Sequence, residues 1–143
     1  NLSPSGLEFI KRWEKFVPRP YNDGVGFMTI GYGHVIKYGE SFTTITEPQA
    51  MEILADDVSL AEMDVDSFVR VPLNQSQYDA VVSFFFNIGA TKLANSNTLR
   101  YLNEGDYDRF ANAMLSWNKS GGKVLLGLTR RRLAEKAMFL SED

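Results

Sequence analysis

Trp13–His34 reads W-E-K-F-V-P-R-P-Y-N-D-G-V-G-F-M-T-I-G-Y-G-H, and the rest of the chain is organised around this stretch. It carries two carboxylates nine positions apart, Glu14 and Asp23, and a hydroxyl, Thr29, six positions after the second acid. A glycine-rich turn then leads to His34. Glu14 closes a helical pattern whereas Asp23 lies in a turn. The two acids therefore occupy unlike environments, which acid/base chemistry at a sugar bond requires.

A predicted helix carries the first acid. Ser3 can cap its start, and Leu7, Ile10 and Glu14 then fall on one face at helical spacing. The prolines at positions 18 and 20 stop the helix soon afterwards. Burial on the apolar face and the negative end of the helix dipole both favour the uncharged form of Glu14, which is the form that a general acid needs.

The second acid lies in a hairpin signal, Asn22–Gly24, where a short carboxylate stays solvated and ionised. Asp23 can then activate a water as general base or act as a nucleophile, and Thr29, on the predicted strand Phe27–Ile30, can orient that water. A surface glutamate and an ordinary turn are the alternative interpretation, which these residues alone leave open.

Composition bounds the class of protein. A length of 143 residues with 44% hydrophobic residues fits one domain with a substantial core. The net charge of −3 gives no reason to expect a nucleic-acid partner. The chain has no cysteine and one histidine, so we expect no disulfide, metal site or cofactor. No apolar run is long enough to span a bilayer, so we expect no stable membrane contact, and nothing demands more than a monomer.

The pattern after the central stretch predicts a small antiparallel sheet and then helices. Residues 21–45 are rich in Gly, Thr, Tyr and Phe and predict two or three short strands. A capping box at Thr46 and Gln49 opens a helix of about 18 residues, long enough to bridge the sheet to a second lobe. A second capping box at Asn74 and Gln77 opens an apolar helix that we expect to be central and buried.

The C-terminal part predicts three further helices. Asn97 and Asp106 can cap two short ones. The last helix runs from about position 128 to 140 and is expected to bury Leu133, Ala137 and Leu140 while displaying Arg130, Arg131 and Arg132. The predicted class is therefore α+β and mostly α, with a ligand cleft between a sheet lobe and a helical lobe.

Four motifs in register resemble the phage-type lysozymes, glycoside hydrolase family 24. These motifs are the Glu-x8-Asp-x5-Thr spacing with its Ile-Gly-Tyr-Gly-His turn, and the segments Gln77–Gly89, Thr98–Tyr107 and Gly122–Glu135. The resemblance covers essentially the whole chain. It implies one two-lobed lysozyme domain, with a sheet lobe and linking helix over about residues 15–60 and a helical lobe from residues 1–14 and 61–143.

The resemblance also implies an activity. The family's endolysins cut the β-1,4 bond between N-acetylmuramic acid and N-acetylglucosamine in peptidoglycan glycan strands during host lysis. By this resemblance Glu14 is the proton donor of an inverting mechanism, Asp23 the second carboxylate and Thr29 the residue that holds the attacking water. Such an enzyme starts in the host cytoplasm and acts in the periplasm, at the cell wall.

Further residues match family positions with supporting or binding roles. His34 matches a histidine that pairs with an acid on the long helix, and Asp57 is the candidate partner. Arg131 is the candidate, within the cluster 130–132, for a cation beside Glu14; a solvated basic face is the alternative. Val35, Phe86 and Thr98 match glycan contacts, although plain core packing explains Phe86 equally well.

Two other functions stay open at this point. One is a wall-binding or toxin module that keeps the fold without catalysis, and the other is a lytic transglycosylase, which would need only one acid. Competent residues at all three catalytic positions argue against the first, and Asp23 argues against the second. The pI of about 5.2 means that attraction to an anionic wall is either weak or local, through Lys123, the arginine cluster 130–132 and Lys136.

Overall fold

The computed structural model describes residues 1–23 and 26–141. Within these ranges the chain forms α-helices, a three-stranded antiparallel sheet and a two-stranded hairpin, which confirms the mostly helical α+β class. The helices are α1 Pro4–Glu14, α2 Glu47–Phe68, α3 Gln75–Ile88, α4 Ala90–Leu93, α5 Asn97–Asn103, α6 Tyr107–Met114 and α7 Leu126–Leu140. The strands are β1 Val17–Asn22, β2 Met28–Gly31, β3 His34–Val35, β4 Lys119–Ser120 and β5 Lys123–Val124.

Helix α1 forms as its sequence predicts. The Ser3 side chain accepts a hydrogen bond from the Gly6 N–H at the start, and the helix ends at Glu14. The next residue, Lys15, has a φ of 56° and is the sole non-glycine residue with positive φ in the described part of the chain. The chain changes direction at Lys15 and enters the edge strand β1. This strand begins at Val17, before the region of residues 21–45 in which strands were predicted.

The three-stranded sheet has the order β1-β2-β3, and its register sorts side chains onto two faces. Tyr21 lies opposite Thr29, and Thr29 lies opposite Val35. Ile30 lies opposite His34 on the alternate face. Because directly opposed residues share a face, the first three side chains form one row across the sheet. The predicted turn at Asn22–Gly24 ends at residue 24, which lies outside the described residues.

Helix α2 connects the sheet to the helical part of the molecule. It has 22 residues and opens with the predicted capping box between Thr46 and Gln49. At the usual rise it is roughly 33 Å long, which exceeds the predicted length. It contacts β2 and β3 of the sheet and α3 and α4 of the helical part. Its buried stripe consists of Ala50, Leu54, Val58, Ala61 and Val65.

Helix α3 is the centre of the core, as predicted. It packs against α1, α2, α4 and α7. Both faces of its middle are buried, including Val81, Val82 and Phe84 at 0% exposure. Its capping box between Asn74 and Gln77 is formed. A helix with this many neighbours fixes the relative positions of the elements that carry polar side chains.

Helix α7 contradicts the prediction. The residues expected to be buried are exposed, with Leu133 at 50% and Leu140 at 48%, and Ala137 is exposed as well. Of the three arginines expected at the surface only Arg130 lies there. The buried face consists of Arg131, Arg132, Glu135 and Phe139. The spacing of apolar residues predicted the wrong buried face. The charged residues can be buried because they neutralise one another, and the pattern of hydrophobic residues does not reveal such pairing.

The cap of α5 also differs from the prediction. Ser96, rather than Asn97, is the N-cap, and its hydroxyl accepts from the Leu99 N–H at 3.1 Å. Asn97 is the first helical residue. In the described ranges, no helix has both the length and the apolar character to cross a membrane.

Candidate active site

The three predicted catalytic residues line one cavity of about 260 Å³. We call it the acid cavity. Its walls come from the end of α1, one face of the sheet and the end of α3. The lining consists of Glu14, Tyr21, Asp23, Thr29, Gly33, Val35, Phe86 and Asn87.

The sheet supplies one wall through its register. Tyr21, Thr29 and Val35 form the row across the strands, and all three line the acid cavity. Thr29 is 4% exposed, and its Oγ1 has no hydrogen-bond partner within the described ranges. A buried hydroxyl without a partner is costly in a folded protein, and this one lies in a cavity that two acids also line.

Glu14 forms the opposite wall. Its Oε2 accepts a hydrogen bond from Arg131 Nη1 at 2.5 Å, and its side chain is 15% exposed. The turn after β2 comes unusually close, because a Cβ at Gly33 would overlap with Glu14 Oε1. Gly33 also has a φ of 74°, which disfavours any side chain. The glycine therefore lets the backbone lie directly against the acid.

A buried network fixes Arg131. Its Nε donates to Glu135 Oε2 at 3.2 Å, and its Nη2 lies 3.3 Å from both the carbonyl oxygen and the Oγ of Ser83. Ser83 Oγ in turn donates to Glu135 Oε2 at 2.6 Å. The guanidinium is thus held at several points, and the remaining nitrogen faces Glu14.

Arg132 extends this network to the cavity wall. Its Nε lies 2.7 Å from Glu135 Oε1, as an ion pair without hydrogen-bond alignment. Its Nη2 donates to Asn87 Oδ1 at 2.7 Å. Burial lowers the pKa of Arg132, and the charge of Glu135 opposes this shift. The resulting pKa of about 10 still leaves the side chain charged at neutral pH. Sequence reasoning missed Asn87, because the contact that orients it comes from another helix.

Arg131 alters the electrostatics that the sequence predicts for Glu14. A guanidinium lies in direct contact with the Glu14 side chain, which the helical pattern around Glu14 does not reveal. The cluster as a whole is balanced, because Arg131 and Arg132 face Glu14 and Glu135. A carboxylate at Glu14 therefore has a counter-ion in direct contact.

The other acid lies in an exposed turn. Asp23 is exposed, and its Oδ1 accepts from the Phe27 N–H at 3.1 Å, as is typical of an aspartate in a turn. The pKa of Tyr21 is raised by burial and then by the negative charges of Glu14 and Asp23. Both acids therefore act on the same side chain. The sequence analysis did not predict Tyr21 as a site residue. Had residues 17–22 been predicted as a strand paired with the Thr29 strand, Tyr21 would have been placed beside Thr29 in the acid cavity.

His34 lies on the other face of the sheet and ties it to α2. Its Nδ1 is 2.7 Å from Asp57 Oδ2, which is the predicted pairing, and its Nε2 is 3.0 Å from Glu40 Oε1. Burial lowers the pKa of His34, but the hydrogen bonds and charges of Asp57 and Glu40 outweigh it and raise the pKa overall. Glu40 was missed because it lies in an irregular segment with no periodic pattern.

The structure does not bring Thr98 to the cavity. Thr98 is 6% exposed, and its Oγ1 accepts a hydrogen bond from Trp117 Nε1 at 3.0 Å. The inner face of α5 packs against α6 within the helical part, so this hydroxyl is occupied in the core. The expectation of a glycan contact at Thr98 is therefore not supported by its position.

The acid cavity is part of a longer groove. A neighbouring cavity of about 240 Å³, the His34 cavity, shares Gly33, Val35 and Phe86 with it and continues to Leu60 and Asp64 on α2. An elongated groove of this kind suits a polymer better than a compact small molecule. Among the described residues no group of three or more His, Cys, Asp or Glu side chains is placed to hold a metal ion.

Known proteins share this chain's sequence and fold. The model of the family described as phage lysozyme matches residues 11–135. The endolysin of Salmonella phage P22 is 43% identical over 98% of each chain. The endolysin of Bacillus phage B103 is 41% identical over all of this chain, which spans only 55% of that longer protein. The muramidase domain of SpmX from Asticaccaulis excentricus superposes with a TM-score of 0.88 at 35% identity, covering 99% of both chains.

These similarities confirm the lysozyme-like fold that the motifs imply. The matching region contains Glu14, Asp23 and Thr29 and extends through the buried arginines of α7. The chain therefore belongs to the phage lysozyme family and is a lysozyme-type glycoside hydrolase.

Proposed function

We propose that this chain hydrolyses the β-1,4 bond between N-acetylmuramic acid and N-acetylglucosamine in peptidoglycan, and that it does so for host cell lysis. The observation that carries the proposal is the acid cavity. Glu14, Asp23 and the unpartnered hydroxyl of Thr29 line one space within an elongated groove. Similarity to phage endolysins supports the wall as the substrate.

The proposed mechanism inverts the anomeric carbon. Glu14 donates its proton to the leaving sugar oxygen, and Arg131 stabilises the carboxylate that remains. Asp23 and Thr29 bind and activate a water that attacks from the opposite face. Val35 and Phe86, which line both the acid cavity and the His34 cavity, provide apolar contacts for the glycan.

The proposed site of action is the periplasmic face of the host wall, after a cytoplasmic stage. Support comes from a relative named as a SAR-endolysin in bacteriophage PS119, which is 31% identical over 85% of this chain. Peptidoglycan glycan strands are the proposed partner.

The test compares Glu14→Gln with Glu8→Gln, a matched change on the exposed side of the same helix. Glu14→Gln should lower the rate of peptidoglycan solubilisation by on the order of 10²–10⁴, since it removes the general acid. Glu8→Gln should retain full activity. Both variants should unfold as cooperatively as the wild type, measured by urea titration.

Product analysis tests the stereochemistry. With the wild-type chain, NMR of the first products should show the α-anomer at the new reducing end, because inversion converts a β bond to an α product. An initial β-anomer would contradict the roles of Asp23 and Thr29. Anhydro-sugar ends in the mass spectrum would identify a transglycosylase, and intact strands with measurable binding would identify a catalytically silent module.

A further inference from the structure

Tyr21 lines the acid cavity, and the mechanism above leaves it without a role. The side chain is partly buried, and it lies on β1, the strand that leads into the turn of Asp23. A tyrosine in such a place brings an aromatic ring and one hydroxyl that both donates and accepts hydrogen bonds. Its neighbours on the sheet decide which of the reacting groups that hydroxyl can serve.

The backbone places Tyr21 between the other two polar residues of the sheet wall. Tyr21 lies directly opposite Thr29 on β2. The antiparallel pairing continues past the end of β1, because the Asp23 N–H donates to the Phe27 carbonyl oxygen at 2.9 Å. Side chains two positions apart along a strand lie on the same face. Tyr21 is therefore the neighbour of Thr29 across the sheet and of Asp23 along it, and all three line the acid cavity.

The Tyr21 hydroxyl is not used by the fold. Within the described ranges it forms no hydrogen bond with another residue. The hydroxyl of Thr29, its neighbour, is also without a partner there. Two adjacent strands therefore bring two hydroxyls to the same cavity, and both are available to a reactant or to a catalytic group.

The charges around this hydroxyl keep it protonated. Glu14, at the end of α1, and Asp23 are the charged residues that line the cavity, while the lining parts of β2, β3 and α3 carry no charge. Arg131 reaches Glu14 from α7 and does not line this space. Burial, followed by the negative charges of Glu14 and Asp23, raises the pKa of Tyr21. The phenol is therefore a neutral donor at every pH at which the two acids can work.

The two acids differ in what a donor can do for them. Glu14 already accepts from Arg131, and its other carboxylate oxygen lies against the backbone at Gly33. A general acid must also carry its proton, which a further donor does not favour. Asp23 is exposed and must be ionised to act as a base. A hydrogen bond to an ionised carboxylate stabilises the charge and fixes the direction in which the group accepts a proton.

We propose that Tyr21 is a positioning residue whose hydroxyl donates to the Asp23 carboxylate in the substrate complex and directs it at the water held by Thr29. This role rests on the wall-hydrolysing function proposed above. Tyr21 acts through Asp23 and transfers no proton itself. Its removal must therefore change the pH at which the general base becomes active, which a purely structural tyrosine would not do.

The test compares Tyr21→Phe with Tyr38→Phe, which removes the same hydroxyl from a fully exposed tyrosine that lines neither the acid cavity nor the His34 cavity. The pH profile of kcat is measured on purified sacculi. Its acid limb reports the general base of the substrate complex, and its alkaline limb reports the general acid. Tyr21→Phe should move the acid limb to higher pH by roughly 0.5–1 unit, because the ionised base loses a donor. Above that limb kcat should fall about tenfold with KM unchanged, since the carboxylate is no longer oriented.

Tyr38→Phe should keep the wild-type profile. Three results for Tyr21→Phe would overturn the role while leaving hydrolysis intact. A shift of the alkaline limb alone would mean that the hydroxyl acts on Glu14. A higher KM with both limbs unmoved would mean that it contacts a sugar instead. A lower free energy of unfolding in urea with an unchanged profile would mean that it serves packing. Failure of the wild type to solubilise sacculi would overturn the proposed function, and the role of Tyr21 with it.

Discussion

The two walls of the acid cavity are built in opposite ways. On the helical wall, Glu14 is paired with Arg131, and the pair is anchored by Glu135 and Ser83 in a buried network. On the sheet wall, Thr29 is also buried but has no hydrogen-bond partner within the described ranges. The first arrangement stabilises the fold around Glu14, the proposed proton donor. The second leaves a hydroxyl available to a reactant at a cost in stability.

The anchors behind these walls differ as well. Arginine stays charged throughout the physiological pH range, so the arginine anchors of the helical wall keep their charge. The sheet is tied to α2 through His34, Asp57 and Glu40, and a histidine can lose its charge near neutrality. Substitutions on the helical wall and on the sheet wall should therefore change the free energy of unfolding and the rate of hydrolysis to different extents.

The largest loss of stability is expected on the helical wall, from Glu135→Gln. Glu135 is 0% exposed and is the shared acceptor of Arg131, Arg132 and Ser83. Neutralising it leaves buried cations without their partner, which should lower the free energy of unfolding by about 3–5 kcal/mol. Urea denaturation measures this change.

Glu52→Gln is the matched control, because Glu52 is exposed on α2. It should change the free energy of unfolding by less than about 0.5 kcal/mol. Equal stability of Glu135→Gln and Glu52→Gln would mean that the buried network does not hold the helical wall together.

The next largest effect is expected from Gly33→Ala, which disturbs the contact between Glu14 and the turn after β2. A methyl group there would displace Glu14 Oε1, which occupies the space that the new Cβ needs. Misplacing the acid should lower kcat by roughly 100-fold. The positive φ adds about 1–2 kcal/mol of destabilisation.

Gly39→Ala isolates the backbone effect, because Gly39 has a φ of 89° and a methyl group added to it would meet no atom within 4 Å in the described part of the chain. It should lose a similar amount of stability and keep its activity. A comparable fall in kcat for both variants would show that backbone strain, rather than contact with Glu14, governs the rate.

A smaller change in stability, of opposite sign, is expected on the sheet wall from Thr29→Val. This substitution replaces the unpartnered hydroxyl with a methyl group of the same shape. The free energy of unfolding should rise by about 1 kcal/mol while hydrolysis of peptidoglycan falls steeply. Thr29→Ser, which retains the hydroxyl, should keep most of the activity. A less stable Thr29→Val variant would indicate that the hydroxyl is satisfied within the protein.

The smallest effect is the pH dependence of the His34 anchor. The pKa of His34 is raised in the folded state, so its contribution to stability is complete below the unfolded value of about 6.5 and disappears as the pH rises through the folded pKa. The stability difference between wild type and His34→Gln should therefore decrease from pH 5.5 to pH 8.5. Urea titrations at several pH values measure it, and a difference that grows with pH would contradict the assignment.

Local features of the sequence predicted much of this molecule. The capping boxes at Thr46 and Asn74, the buried centre of α3 and the spacing of Glu14, Asp23 and Thr29 all depend on neighbours within one or two turns. Such interactions are encoded in adjacent residues. The α+β class follows from them because hydrophobic periodicity changes between the sheet region and the helices.

The tertiary structure alone decided which charges are buried. Arg131 meets Glu14 across 117 positions of the chain, and Arg132 orients Asn87 from another helix. Periodicity placed these arginines at the surface, and the family resemblance implied a glycan contact at Thr98. Neither reveals burial, because the burial of a polar group depends on a partner that only folding supplies. The sequence by itself therefore determined the elements and the proposed reacting groups, whereas long-range pairing decided how Glu14 is held and which polar side chains remain without a partner in the described part of the chain.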